Sequence, residues 1–185
     1  MKNTMILIAG RTGAGKDTYA KILKEKGLRE VLSYTTRPKR YEDENTHIFI
    51  TEKEAEEMTD KVATTVINGY QYFATQRQID EADYYIIDPI GIKELTQNCP
   101  DTSFYIIYIA ALRDTRLQRA ALRGDDALKE IEIFEKRDES EDAQFTAFEQ
   151  LIGKYDNIIV HTNDQDSSYR KLKEEAEEDL KYIGY

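Results

Sequence analysis

The stretch IAGRTGAGKDTYAKIL, residues 8–23, decides the fold of this protein, and it continues directly from an apolar run that starts at Thr4. An unbroken apolar run of this length is typical of a strand buried on both faces of a parallel sheet. Residues 10–16 then match the pattern G-x-x-x-x-G-K, in which consecutive backbone N–H groups surround a phosphate. The following residues predict a helix that ends at Gly27. The order of strand, glycine-rich loop and helix therefore predicts a phosphate-binding loop.

ATP is the expected ligand of this loop, because Lys16 supplies a point charge for β- and γ-phosphates. The N-terminal end of the following helix adds positive potential at the same place. The residues predicted to bind ATP through the loop are Gly10, Arg11, Thr12, Gly13, Ala14, Gly15, Lys16, Asp17 and Thr18.

Asp17 stands where the pattern has a serine or threonine, and this position leaves two roles open. Its carboxylate can hold Mg²⁺ directly or through water, because Mg²⁺ accepts carboxylates and keeps several waters. Alternatively, its charge only stabilises the start of the helix. The loop also resembles that of some nucleotide kinases, in which the hydroxyl two residues after the lysine contacts the α-phosphate. That resemblance implies the same contact for Thr18, with Mg²⁺ as the cofactor.

Three later apolar runs, at residues 83–88, 103–111 and 157–162, are each followed by a helix-like stretch. Strands that alternate with helices predict an α/β protein with a parallel sheet between two helical layers, a three-layer α/β/α fold. The chain length of 185 residues suits one domain. We expect its core to comprise residues 1–30, 81–123 and 143–185. A β-rich insertion at 31–80 would bind the molecule that accepts a phosphoryl group from ATP, and a charged helical segment at 124–142 would form a lid over the site.

The composition excludes several classes of protein. A net charge of −10 argues against broad nucleic-acid binding, which requires a basic surface. The single cysteine, Cys99, excludes an internal disulfide or a multi-thiolate metal site. The apolar runs are too short for a signal peptide or a membrane span, so we expect a cytoplasmic protein without a membrane partner. The composition leaves the oligomeric state open.

A second phosphate site is indicated by SYTTRPKR, residues 33–40. Arg37 and Arg40 lie three residues apart beside several hydroxyl side chains, and arginine binds phosphate oxygens in a bidentate manner. Such a pair on an acidic protein, after a phosphate-binding loop, predicts a site for a phosphorylated acceptor. This acceptor is a small molecule rather than a nucleic acid.

With these segments the chain resembles the guanylate kinase family, through the loop, SYTTRPKR, THIFIT, NGYQYFAT, IIDPIG, LRG and VHTND. The resemblance implies that Ser33, Arg37, Arg40, His47, Tyr72 and Asp88 bind the acceptor, with His47 in place of a family tyrosine. Ala63 stands where the family has the glutamate that reads guanine, so specificity for guanine stays open. For Asp88, a contact with the acceptor or the metal's waters, a catalytic base for a hydroxyl acceptor, and a helix cap are alternatives.

Basic residues also mark the lid side of the predicted site. Arg119 and Arg123 are four residues apart on RDTRLQRAALRG and share one helix face. Surface ion pairing is one interpretation of these arginines. The resemblance implies instead that Arg119, Arg123 and Arg137 close over the transferring phosphoryl group as catalytic residues beside Lys16, and that Asn163 contacts adenine.

The function implied is an ATP-dependent phosphotransferase that phosphorylates a nucleoside or deoxynucleoside monophosphate. Short matches at the loop and at ENTHI, residues 44–48, are also similar to ribose 1,5-bisphosphate phosphokinases. Some phage-type deoxynucleoside monophosphate kinases carry the same Gly-Lys-Asp-Thr. A non-catalytic guanylate kinase-like interaction module is a further alternative, although such a module has no need of Lys16 and the arginines.

Overall fold

The computed structural model describes residues 4–67, 69–164 and 168–185. The strands are β1 (Thr4–Ala9), β2 (Tyr34–Thr35), β3 (Ile48–Phe49), β4 (Lys61–Ile67), β5 (Tyr70–Thr75), β6 (Tyr84–Ile86), β7 (Ser103–Ala110) and β8 (Ile158–Thr162). The helices are α1 (Lys16–Glu25), α2 (Glu52–Glu57), α3 (Gln76–Glu81), α4 (Pro89–Asn98), α5 (Arg113–Ala121), α6 (Ala127–Glu149) and α7 (Ser168–Ile183).

One sheet of four strands has the order β6–β1–β7–β8. Strands β7 and β8 are parallel, with Tyr108 opposite Val160. Every residue of β1 after Thr4 is buried, as expected for a strand covered by helices on both faces. The three-layer α/β/α fold that the alternating runs predict is thereby confirmed.

A second sheet of four strands has the order β3–β2–β5–β4 and lies within residues 31–80, the segment predicted to be β-rich. Strands β4 and β5 form an antiparallel hairpin in which Thr65 faces Tyr72. Strand β2 pairs antiparallel with β5 and parallel with β3. The pairing places the segment SYTTRPKR beside Tyr72, because Thr35 lies opposite that tyrosine.

The chain forms two compact units. The first unit comprises residues 1–7 and 28–104, and the second comprises residues 8–27 and 105–185. The phosphate-binding loop lies in the second unit, and the second sheet with its arginines lies in the first.

The helices differ in how their first turns are capped. Helices α2 and α3 each begin with a capping box, in which Thr51 pairs with Glu54 and Thr75 pairs with Gln78. Helix α1 begins after Gly15 without any side-chain cap. The N–H groups in the first turn of α1 are thus not engaged by a capping side chain, which is the arrangement that favours a bound anion.

Helix α6 is longer than the predicted lid, because it runs without interruption from residue 127 to 149. The boundary predicted between residues 142 and 143 falls inside it, since no glycine or proline occurs in this stretch to end the helix. Its buried positions include Phe134, Asp138, Phe145 and Phe148, which is one face of the helix. Within the described part of the chain, no helix has both the length and the apolar character needed to cross a membrane.

Candidate functional site

Close packing requires glycine in the phosphate-binding loop. A Cβ atom on Gly10 would overlap the carbonyl oxygen of Ile109 on β7. Gly15 adopts a φ of 109°, in the left-handed region, and a Cβ there would overlap the side-chain amide of Asn163. The loop therefore packs closely against Ile109 of β7 and against Asn163, the residue after β8.

Lys16 is the first residue of α1, and its ammonium group lies over the loop. Its Nζ donates hydrogen bonds to the carbonyl oxygens of Gly10 at 2.6 Å and Arg11 at 3.2 Å. Burial lowers the pKa of Lys16, while the carboxylates of Glu141 and Asp17 act in the opposite direction. The ammonium group of Lys16 is thus placed beside the loop, where it can contact a phosphate that the loop binds.

A cavity of about 150 Å³ opens beside this lysine. It is smaller than the roughly 300–1,000 Å³ typical of a pocket that encloses a whole small molecule. Its lining consists of Gly13, Gly15, Lys16, Asp17, Thr18, Arg119, Arg123 and Asn163. All eight residues were predicted from the sequence to bind ATP or to carry catalysis, with Asn163 expected at the adenine. The size and the lining of the cavity suit phosphate groups.

Arg119 packs directly on the loop. Its Nη2 donates to the carbonyl oxygen of Asn163 at 2.7 Å, and its Nη1 donates to that of Ala14 at 3.3 Å. The side chain of buried Asn163 donates to the same Ala14 oxygen at 2.8 Å. Asn163 thus holds the loop, a role that the sequence did not indicate.

Of the three arginines predicted on the lid side, two line this cavity. Arg119 and Arg123 both line the cavity with Lys16. Arg137 lies exposed on α6 and is not among the described residues that form this lining. The structure therefore brings two of the three together.

Helix α6 contacts the loop through acidic side chains that the sequence analysis did not single out. Glu149 accepts two hydrogen bonds from Arg11, at 2.8 and 3.0 Å, and Asp142 accepts a third at 2.7 Å. Glu141 accepts the backbone N–H of Thr12. The bond from Arg11 lowers the pKa of Glu149, whereas burial raises the pKa of Glu141.

A further buried ion pair supports this contact. Arg116 is almost fully buried, and its Nη1 donates to Asp138 on α6 and to the carbonyl oxygen of Thr12. The spacing of Asp138, Asp142 and Glu149 on α6, four and seven residues apart, would have indicated an acidic helix face. Nothing in the sequence connects that face with the loop, because the contact is tertiary.

Asp17 and Thr18 are two oxygen-bearing side chains that follow the lysine in the sequence and lie beside it in the cavity. Asp17 is exposed in the first turn of α1, and both residues line the cavity. In the described residues there is no group of three or more His, Cys, Asp or Glu side chains suited to a metal. One carboxylate with a neighbouring hydroxyl fits Mg²⁺, which is held mainly by substrate phosphates and water in such sites.

The first unit brings together most of the predicted acceptor residues. The Nε of Arg37 donates to the hydroxyl oxygen of Tyr72 at 3.1 Å. The Oγ of Ser33 lies 3.0 Å from Nδ1 of His47, and the His47 ring packs edge-on against Tyr72. Burial, followed by the charge of Arg37, lowers the pKa of His47, so its imidazole is neutral near pH 7.

Glu44 belongs to this cluster and was not predicted as a site residue. Its side chain is fully buried and pairs with Arg37 at 2.8 Å. The hydrogen bonds from Arg37 hold its pKa at about 2. The signal available in the sequence was its position four residues after Arg40, which is weak outside a helix.

Asp88 adopts the helix-cap role among its predicted alternatives. Its Oδ1 accepts the backbone N–H of Gly91 at 2.7 Å, so it is the N-cap of α4. The hydroxyl of Thr65 on β4 lies 3.5 Å away. Burial raises the pKa of this carboxyl group.

Comparisons with known proteins identify the family and the fold. Residues 6–145 match a protein family described as AAA domain. The chain belongs to this AAA domain family. Its structure is also similar to that of guanylate kinase from Anaplasma phagocytophilum, with a TM-score of 0.62 and 15% sequence identity over 98% of this chain and 86% of that one. At this identity the likeness shows the fold, and the guanylate kinase-like P-loop fold implied by the motifs is confirmed. Among curated proteins, none matches the chain.

Proposed function

We propose that the protein is an ATP-dependent phosphotransferase whose acceptor is itself a phosphorylated small molecule. The observation that carries this proposal is the convergence of Lys16, Arg119 and Arg123 on one cavity at the uncapped start of α1. Three cations beside the backbone N–H groups of a helix start that has no side-chain cap suit the charge of a triphosphate. Mg²⁺ enters with ATP, with Asp17 and Thr18 as its neighbours from the protein.

The cluster in the first unit supports a phosphorylated acceptor. Arg37, Arg40 and Tyr72 are hydrogen-bond donors suited to phosphate oxygens, and the hydrogen-bonded pair of Ser33 and His47 lies beside Tyr72. A phosphate acceptor has a second pKa of about 6 and is mostly dianionic at neutral pH, so no catalytic base is needed. Catalysis then consists of positioning two polyanions and neutralising the charge of the transferred group.

A nucleoside or deoxynucleoside monophosphate is the favoured acceptor. Guanine is not specified, because Ala63 is buried and has no group that could accept hydrogen bonds from the base. This absence of a carboxylate at residue 63 is also what supports a second candidate, a sugar phosphate such as ribose 1,5-bisphosphate, which has no base to read.

The experiment that tests the proposal measures ADP formation from Mg·ATP with a panel of acceptors. The panel contains each ribonucleoside and deoxyribonucleoside monophosphate and ribose 1,5-bisphosphate. We expect one class of acceptor to accelerate ADP formation strongly over ATP alone. The Lys16→Ala variant should lose at least 100-fold of that rate, the order expected when a residue that stabilises transition-state charge is removed.

Lys24→Ala is the matched control, because this residue is a lysine in the last turn of the same helix. It should retain the wild-type rate. Turnover with the sugar bisphosphate alone would favour the second candidate. If ATP binds and no acceptor accelerates ADP formation, the kinase proposal is wrong and a nucleotide-binding interaction module takes its place.

A further inference from the structure

Most of the donors of Arg37 are engaged within the protein. Its Nε–H bonds Tyr72 at 3.1 Å, its Nη1 bonds Pro38 at 2.8 Å and Glu44 at 3.3 Å, and its Nη2 bonds Glu44 at 2.8 Å. Arginine has five N–H groups, and these contacts among described residues use one on Nε, two on Nη1 and one on Nη2. Arg37 therefore offers a phosphate one N–H of Nη2 and not a two-pronged fork.

Glu44 is the common partner of the residues around this arginine. Besides Arg37, it accepts the backbone N–H of Arg40 at 2.7 Å and the hydroxyl of Thr46 at 3.0 Å. A carboxylate withdrawn from water is stable only with partners of this kind. One buried side chain thus sets both the guanidinium of Arg37 and the backbone of Arg40.

These contacts leave a donor on each of three side chains of the cluster. Because Arg37 donates to the oxygen of Tyr72, the hydroxyl hydrogen of Tyr72 is left for another acceptor. The side chain of Arg40 is 53% exposed and lies 3.9 Å from Glu44, so its charge is available at the surface of the cluster. Arg37, Tyr72 and Arg40 each keep a donor that a phosphate oxygen can use.

Resting on the proposed function, we infer that Glu44 is the positioning residue of the acceptor site. It does not touch the acceptor phosphate. It orients Arg37 and Arg40 so that the donors they and Tyr72 keep serve the same phosphate. Without Glu44, Arg37 would rotate among alternative partners, and the loop from residue 37 to 46 would lose its shared acceptor.

Simple electrostatics makes the opposite prediction. A negative charge beside an anion site repels the anion, so removal of Glu44 should tighten phosphate binding if charge alone matters. If positioning matters, Glu44→Gln should weaken binding although it removes a negative charge. Glu42→Gln is the matched control, because Glu42 is exposed in the same loop and undergoes the same change of charge.

The test is an NMR titration of the full chain with inorganic phosphate, followed through the arginine Nε–H signals. Wild type should show saturable shifts at Arg37. We expect Glu44→Gln to raise the Kd for phosphate about tenfold, the scale of one charge-assisted hydrogen bond. Glu42→Gln should leave the Kd unchanged or slightly lower. In turnover with the best acceptor of the panel, Glu44→Gln should raise the acceptor KM and leave the KM for ATP unchanged.

The outcomes separate the two proposals. If wild type shows no shift at Arg37, there is no phosphate site and the proposed acceptor function fails. If wild type binds phosphate and Glu44→Gln binds it equally or more tightly, the site stands and the positioning role is wrong. Should Glu44→Gln lose the dispersed spectrum of a folded chain, Thr46→Val, which removes one hydrogen bond to Glu44, takes its place. An unchanged Kd in Thr46→Val would then overturn the inference.

Discussion

Gly15 shows what the smallest side chain contributes to the loop. It precedes α1 with a φ of 109°, and any Cβ would overlap the amide of Asn163 that holds Ala14. The backbone conformation and the close approach are separate requirements. Glycine is the residue that meets both without strain.

We expect Gly15→Ala to lower the free energy of unfolding by roughly 2–3 kcal/mol. About 1–2 kcal/mol comes from the left-handed backbone and about 1 kcal/mol from the disturbed Asn163 hydrogen bond. Gly27→Ala is the control, because Gly27 has a φ of 87° but no atom within 4 Å of its Cβ position. Urea unfolding of the two variants should therefore differ. Equal losses would mean that Asn163 moves aside without cost.

Glu44 should also make stability depend on pH. Its pKa in the folded protein is about 2, below its ordinary value of 4.5. A depressed pKa contributes stability above pH 4.5, and this contribution is lost as the pH falls from 4.5 towards 2. We expect wild type to be more stable than Glu44→Gln at pH 6, with a difference that shrinks below pH 4.5. A difference that stays constant in urea unfolding from pH 6 to 3 would contradict the ion pair.

At the scale of elements, α6 contributes acidic residues to the phosphate-binding loop. Asp138, Asp142 and Glu149 neutralise arginines beside the loop, whereas Glu141 accepts a loop N–H. An N–H of this loop is a donor that a phosphate would use. Helix α6 thus supports the loop through its ion pairs, but at the N–H of Thr12 its Glu141 competes with a phosphate for the same donor.

We expect Glu141→Gln to bind ATP roughly 3- to 10-fold more tightly than wild type. The change removes a negative charge next to Lys16 and weakens the hold on the Thr12 N–H. Isothermal titration calorimetry with Mg·ATP measures the effect. Glu139→Gln, an exposed acid on the same helix, should bind ATP as wild type does. Weaker binding in Glu141→Gln would show that Glu141 supports the nucleotide site instead of opposing it.

At the scale of the whole molecule, the cations of interest are concentrated in two places on a chain of net charge −10. The loop cluster belongs to the second unit, and the cluster of Arg37 and Arg40 belongs to the first. Each unit has its own hydrogen bonds around its cluster. Ligands for the two clusters should therefore leave separate signatures.

Hydrogen exchange measured by mass spectrometry tests this separation. Mg·ATP should slow exchange mainly in residues 8–27 and 105–185, because it binds groups of the second unit. Inorganic phosphate, at a concentration that saturates the site at Arg37, should slow exchange in residues 28–104, which belong to the first unit. Lys16→Ala should abolish the protection by Mg·ATP and leave wild-type exchange elsewhere. If Mg·ATP slowed exchange only in the first unit, the nucleotide would bind at the cluster of Arg37 and Arg40, and the proposed ATP site at the loop would be wrong.

The sequence alone determined the parts of this protein that depend on local pattern. The α/β fold and the loop were predicted from the apolar run before Gly10, the glycine spacing and the alternation of strands with helices. Such patterns are readable because a buried strand and an amphipathic helix each require apolar residues at characteristic spacings. The arginine pair at residues 37 and 40 was visible for the same reason. Its place beside Tyr72 needed the family resemblance as well.

Only the tertiary structure decided which charges meet. Glu44 under Arg37, Glu141 on the Thr12 N–H and Asn163 on Ala14 join positions from 7 to 149 residues apart, and no local pattern encodes such pairs. It also placed Arg119 and Arg123, but not Arg137, in the described lining of the cavity, and it made Asp88 a helix cap. Charged side chains are common on any surface, and packing alone determines which of them lose their water and require a partner.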